Sequence, residues 1–454
     1  MSQTTATEKM CAARGAPTAP GAAGAGDQRS NVIVIGAGLA GLTAAERLVR
    51  HGLTVRVLEA RGRVGGRTYS RELAGQSVDL GAEHIGPNHK GMLALTKRLG
   101  IRVSDSGLFR AKSRWQVGGL DKVGNLPPAR IRDLLRSGAV MARVKQEARK
   151  LPIDEPWNAP TARFLDRVSL ADWLDAARIT GSAREVHNAL WEDGFTVEIE
   201  RISMLQIAWT VRRSGGVVAA IRDIIAYEVE GGTQTIAEAL AQKLGFRVTL
   251  EAPVELVARD GDELSVVTAD ETTYQAEQVI VAVPVPTVRR IRFAPPLPDH
   301  LAEAHDEVGF GRATTIIVGS GFAPAPPFGF VVGSPVFGAA WRRGPTAKTK
   351  PRDVSADRVD DVAAEVATAA QIPDEGREVA SLEWTEERYT RGTYVNFKPG
   401  QLTRFAPALR ERHGRVHFAS AERSSWPTFM EGAVESGNRA AAGVLSDVAI
   451  RSHR

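Results

Sequence analysis

The sequence predicts an α/β protein whose first domain is assembled from three separated pieces of chain. Three observations predict it. The β-branched run Val32-Ile33-Val34-Ile35 leads through Gly36, Gly38 and Gly41 into an apolar helical stretch, the opening of a βαβ unit. Strand patterns return in the middle of the chain, at residues 254–258, 263–268 and 279–283. Near the far end a short strand, 416–419, feeds a last helix, 430–448.

Taken in order, residues 1–30 are rich in Ala, Gly, Pro and Thr and lack the basic and apolar regions of a signal peptide, so they read as a disordered tail. The helix at 42–51 is stopped by Gly52, and a second buried strand, 54–58, ends at Glu59. From about 92 to 223 the pattern turns helical, with amphipathic periods at 129–148, 170–177 and 183–191 and almost no strand signal. These shifts divide the chain into a first domain of 31–97, 225–287 and 399–454, and a substrate domain of 98–224 and 288–398. The second part is expected to be α+β with a helical insert, and no internal repeat is present.

Composition narrows the function. The 454 residues suffice for two cores, and 43% hydrophobic with 24% charged residues is ordinary for a globular protein. The net charge of +5 is 58 basic minus 53 acidic residues without a long Lys/Arg run, so no nucleic-acid partner is expected. A single cysteine, Cys11, excludes an intramolecular disulfide and a cysteine metal site, and a reducing, cytoplasmic setting fits. Apolar runs never reach the roughly 20 residues that span a bilayer, so no membrane partner is expected.

The glycines carry chemistry because of where they stand. Gly36 permits the tight turn, Gly38 lets a pyrophosphate approach the backbone, and Gly41 lets the helix pack on the strand. The helix N-terminus offers free N–H groups to phosphates, and Glu59, 18 positions past the last glycine, would accept from ribose hydroxyls. Directly downstream, Arg61-Gly62-Arg63-Val64-Gly65-Gly66-Arg67-Thr68 is a second glycine-rich loop with three guanidiniums suited to clamp phosphates. NAD and FAD both fit the first motif.

The second loop, together with Val416-His417-Phe418-Ala419-Ser420-Ala421-Glu422 and Phe429-Met430-Glu431-Gly432-Ala433-Val434-Glu435-Ser436-Gly437, resembles the two signatures of the flavin amine oxidase superfamily, to which monoamine oxidases belong. The resemblance covers roughly residues 31–448. It implies a Rossmann-like FAD domain and an enzyme that removes hydride from the carbon beside nitrogen. The cofactor-binding positions it implies are Gly36, Gly38, Gly41, Glu59, Arg61, Gly66, Arg67, Gly81, Ala82, Glu83, Val254, Glu422 and Met430, with Gly231-Gly232 as the family's internal glycine pair. Of these, Val254 would meet the adenine, Glu422 the ribityl chain, and the Gly81-Ala82-Glu83-His84 loop the flavin ring. Thr393 stands where some members carry a flavin-linking cysteine, so the FAD is expected to be noncovalent.

By the same resemblance Tyr394 and Phe429 form an aromatic cage, with Trp384 nearby. The lysine that relatives carry on the strand after a glycine is replaced by Thr315 or Ala313, and Arg312, an odd number of residues away, would face the other side. Glu83 in an apolar flavin pocket would resist ionisation and act as a proton acceptor; the alternative reading, equally open, is a surface carboxylate paired with an arginine. Arg342 and Arg343, next to Trp341, read as solvated surface or, alternatively, as part of the substrate face. These departures point to a specialised biosynthetic substrate, an amine or amide oxidised to an imine and then cyclised, as in a superfamily amide oxidase that also closes a ring. Oxygen is one candidate electron acceptor, with fast reoxidation put in question by the missing lysine, and a homodimer is the expected assembly. The alternatives on this scaffold are an L-amino acid oxidase, a carbon–carbon desaturase, and a catalytically degenerate flavoprotein with a binding role.

Overall fold

A computed structural model describes residues 29–325 and 327–452 of the protein. Cys11 and residues 1–28 of the expected tail lie outside them. Residues 29 and 30, assigned to that tail from sequence, instead begin the first strand, where Arg29 and Ser30 pair with Gln275 and Ala276.

That strand, Arg29–Ile35, sits inside an eight-stranded sheet. Val248–Thr249, Val55–Leu58, Arg29–Ile35, Thr273–Val281 and Val416–Phe418 run parallel, so all three chain segments contribute to one sheet. Burial on both faces explains its unbroken apolar run. Val32 and Val34 pack with the helices Leu39–Arg50 and Met430–Ser452, while Ile33 and Ile35 join the core beneath Phe418 and Val257. The first half of Thr273–Val281 pairs antiparallel with Glu263–Thr268 and its end with the C-terminal strand. The sheet also takes in Arg292–Ala294, beyond the boundary at 287.

A second, seven-stranded sheet runs in the order Arg377–Glu383, Thr314–Ser320, Thr346–Thr349, Gly338–Arg343, Phe330–Ser334, Ser113–Val117 and Leu120–Gly124. Its last two strands correct the reading of 92–223 as nearly strand-free. They form a hairpin whose turn, Gly118-Gly119, has φ of 60° and 72°, values that only a glycine pair adopts cheaply. The helices Val359–Ala370 and Gly181–Phe195 lie against this sheet, and Gly181–Phe195 shares a further core with Ile131–Arg149, Met204–Ser214 and Val217–Ile225. Their apolar core extends to Leu402, Phe405 and Leu409, which the sequence division had placed with the nucleotide segments. No helix among the described residues is long and apolar enough to cross a membrane.

Candidate active site

The turn after the first strand is dictated by close approach. Gly36 has φ of 102°, and a Cβ on Gly41 would lie 2.0 Å from the Gly36 carbonyl oxygen. Gly38 is different: the nearest atom to a Cβ there is 4.0 Å away, leaving room for a ligand against the backbone. No side chain caps the helix that follows, so its first N–H groups remain for an anion. Glu59 is fixed at the end of its strand by accepting from Ala37 N–H (2.8 Å) and Arg61 N–H (3.0 Å).

The three guanidiniums are not free to clamp phosphates. Arg61 is held by Glu387 and by Thr390 Oγ1 (2.7 Å), and Arg63 donates to the carbonyls of Val64, Gly66 and Thr68 while stacking 4.1 Å from the Tyr69 ring. Arg67 donates to Thr393 O (3.1 Å) and stands 2.5 Å from Glu422. These arginines tie chain segments together and keep Arg61 and Arg67 on the cavity wall.

Glu422 is fully buried, yet neither carboxylate oxygen has an aligned donor among the described residues. Its charge is met by Arg67, and its unused lone pairs leave acceptor capacity of the kind a ribityl hydroxyl would use. With the open face of Gly38, this makes the residues fit an FAD. Ser420 and Ala421 lie on the cavity wall, with Glu422 next to them.

The loop meant for the flavin ring is braced from three sides. A Cβ at Gly81 would be 2.0 Å from Arg67 O, and Ala82 N–H donates to that same oxygen (3.0 Å). The glycine pair Gly231-Gly232, both at positive φ, turns Thr233 so that its hydroxyl donates to Ala82 O (2.6 Å). Trp384 Nε1 donates to Leu80 O (3.0 Å). Behind the loop, Lys348 Nζ donates to Asp79 O (2.5 Å), Gly81 O (3.0 Å) and Glu83 Oε2 (2.9 Å).

Glu83 therefore differs from its expected role. Burial alone would raise its pKa, but Lys348 and the neighbouring His84 and Arg343 outweigh burial and bring it to about 2. Trp341 Nε1 also donates to it (3.1 Å). An ion-paired carboxylate of this kind is a poor proton acceptor. His84 is brought down to about 4, mainly by burial, so it is neutral at pH 7 with its Nε2 lacking a hydrogen-bond partner among the described residues. Asp79 moves the other way, to about 6, through burial and the charge of Glu83.

One cavity of about 880 Å³ joins all of this. It runs from Gly36, Gly38 and Glu59, past Val254 and the Gly81–His84 loop, into an apolar chamber under the helices. Gly66, Tyr394, Phe429, Trp384 and Met430 all stand on its wall, whereas Gly41 lies behind it, packed against Gly36 and Ala282. Tyr394 is anchored by donating its hydroxyl to Gly194 O (2.5 Å), and the Phe429 ring rests 4.9 Å from that of His89.

Thr315 is buried on the wall, and Arg312 is exposed and paired with Asp353 (3.0 Å), as strand alternation requires. Two lysines reach the cavity from the neighbouring strand instead, Lys348 and Lys350. The antiparallel register Ile317↔Lys348 and Ile316↔Thr349, continued one residue, sets Lys350 opposite Thr315. Asp193, from the end of the helix Gly181–Phe195, faces Lys350 at 3.8 Å. Sequence reading missed all three, although the alternation Lys348-Thr349-Lys350 puts both lysines on one face of a strand. Arg342 and Arg343 are likewise not solvated. Arg342 donates to the carbonyls of Ala370 and Pro324, and Arg343 pairs with Glu228 (2.7 Å).

The sequence profile of the family described as flavin containing amine oxidoreductase matches residues 39–320 and 337–445. The chain belongs to that family. A putative flavin-containing monoamine oxidase of Mycobacterium tuberculosis is 33% identical over 92% of this chain and 96% of its own. The flavin-containing amine oxidase B of Sus scrofa is 30% identical over 92% and 86%. Among solved structures, a putrescine oxidase double mutant superposes with a TM-score of 0.82 at 26% identity, covering 92% of this chain and 99% of that one. The protein is thus an FAD-dependent oxidoreductase.

Proposed function

We propose that the protein oxidises the carbon–nitrogen bond of a small-molecule amine or amide, with oxygen as the electron acceptor. The observation that supports this reading most directly is the single cavity in which the dinucleotide cradle at Gly38 and Glu59 opens onto the aromatic walls Tyr394 and Phe429. FAD, when bound, supplies the hydride acceptor. Glu59 and Glu422 would hold its sugar chain, and Gly81-Ala82 would lie against its ring.

The chain's own contribution is position and dryness. Tyr394, Phe429 and Trp341 confine the reacting carbon, while Leu190, Ile207 and Ile224 line an apolar chamber for the rest of the substrate. The relatives named for monoamines and for putrescine support amine oxidation. The ion pairs in the chamber wall favour a specialised substrate. With Glu83 ion-paired, the carboxylate expected to serve as base for a subsequent ring closure is a poor proton acceptor, so oxidation alone is proposed.

The test is an anaerobic titration of the yellow protein with primary amines, amino acids and N-acyl amines, following the visible flavin band, then admitting oxygen. Bleaching by one class and recovery in air is expected. An FAD-loaded protein bleached by none would overturn the reading and leave the binding role.

A further inference from the structure

Lys350 differs from Lys348 in how its donors are used. Lys348 spends three hydrogen bonds on the protein and its side chain is 6% exposed. Lys350 keeps 20% of its side chain accessible, and it stands on the wall of the interior cavity. Its Nζ lies 5.2 Å from the ring centroid of Trp341 and 5.9 Å from that of Tyr394, so the two aromatics already hold a cation that belongs to the protein. Asp193 at 3.8 Å is close enough to offset the charge but too far to accept a hydrogen bond. An ammonium has three donors, and this one has protein partners for fewer than three.

We propose that Lys350 is a substrate-binding residue whose free donors take an oxygen of the substrate, an amide carbonyl or a carboxylate, next to the carbon–nitrogen bond that is oxidised. The inference rests on the amine or amide oxidation proposed above and adds the group that must stand beside the reacting bond. Two features support it. Cavity, lysine and aromatics converge where Tyr394 and the Gly81–His84 loop meet. The space between Trp341 and Tyr394 that would otherwise attract a protonated alkyl amine is taken by Lys350. A charge-assisted hydrogen bond in such a site is worth about 10- to 100-fold in affinity. Substrates with an oxygen acceptor are therefore favoured over bare alkyl amines by that margin. Asp193 acts as a positioning residue that holds the ammonium in the wall.

Equilibrium binding to the FAD-loaded protein tests this without turnover. Benzoate, benzamide and benzylamine are titrated at pH 7 and the perturbation of the visible flavin band gives each dissociation constant. In the wild type, benzoate or benzamide is expected to bind at least tenfold more tightly than benzylamine, and which of the two leads tells carboxylate from carbonyl. Lys350→Met is expected to lose that preference about 10- to 100-fold while retaining FAD, and Lys350→Arg to keep much of it. Tighter binding of benzylamine by the wild type overturns the inference even if the Met variant fails to fold. So does an unchanged preference in Lys350→Met. Lys350-dependent binding of benzoate in a protein that no amine, amino acid or N-acyl amine bleaches would uphold this site and reject the oxidation reading.

Discussion

Replacing Lys348 with methionine should uncouple the brace behind the flavin loop from the loop itself. The change removes three donors, to Asp79 O, Gly81 O and Glu83 Oε2, and leaves the buried Glu83 carboxylate facing Trp341 Nε1, the imidazole of His84 and the weaker influence of Arg343. Taking one partner from a buried ion pair costs about 3–5 kcal/mol. The lowered pKa of Glu83 agrees in sign, since burial opposes its charge and Lys348 heads the groups that favour it. For a cooperative unit of about 250 residues that cost is a fall in Tm of about 6–10 °C, read by circular dichroism and flavin fluorescence in excess FAD. The sign of the pH effect also follows. Because the folded value of Glu83 lies below its unfolded one, its contribution is complete above about 4.5 and is lost as pH falls toward 2, a loss that should vanish in Lys348→Met. The double variant Lys348→Met/Glu83→Gln should regain at least half the stability, since no buried charge is stranded. A cost below about 1 kcal/mol, or a double variant no better than the single, would refute the ion pair as the brace.

Asp79, raised to about 6, contributes stability that is complete below 3.8 and lost as pH rises through 6. Asp79→Asn keeps an acceptor for Ser70 and Thr233, so it should match the wild type near pH 4 and exceed it above pH 6 by about 1–3 kcal/mol in urea unfolding; parallel curves from pH 4 to 8 would contradict this. Gly81→Ala forces a methyl to 2.0 Å from Arg67 O, and about 2–3 kcal/mol of stability together with FAD retention on gel filtration should be lost. Glu59→Ala removes the acceptor of Ala37 and Arg61 and should weaken FAD binding about 10- to 100-fold by fluorescence titration, with Tm changes small in comparison.

The nucleotide half was legible because its physics is local. A β-branched run buried on both faces, glycines forced by contacts under 3 Å and an acid at the strand end leave their marks within 30 residues. The strand 263–268 was placed without error and the last helix within four residues of its end. The hairpin around Gly118-Gly119 was lost because its outer strand, Leu120–Gly124, is largely exposed and carries no apolar alternation. The Gly-Gly pair was the available signal. Charge partners proved the least legible. Whether Glu83 resists or welcomes ionisation depends on Lys348, 265 positions away, and no reading of its neighbours in sequence supplies that.

The alternation of Lys348 and Lys350 shows how one strand serves two ends of the site. The first lysine holds the loop at Gly81 and Glu83, and the second stands between Trp341 and Tyr394. Between them Thr349 turns the other way and donates to Ala339 O. A slip of one residue against Thr314–Ser320 would turn both ammoniums toward the packed core around Ala347 and Val366 and leave Glu83 and Asp193 unpaired. The apolar core on one face therefore fixes the register, and the register fixes the charges on the other. Electrostatics in the cavity is thus inherited from hydrophobic packing outside it, which is why a threonine at position 315 can coexist with a cation in the same chamber.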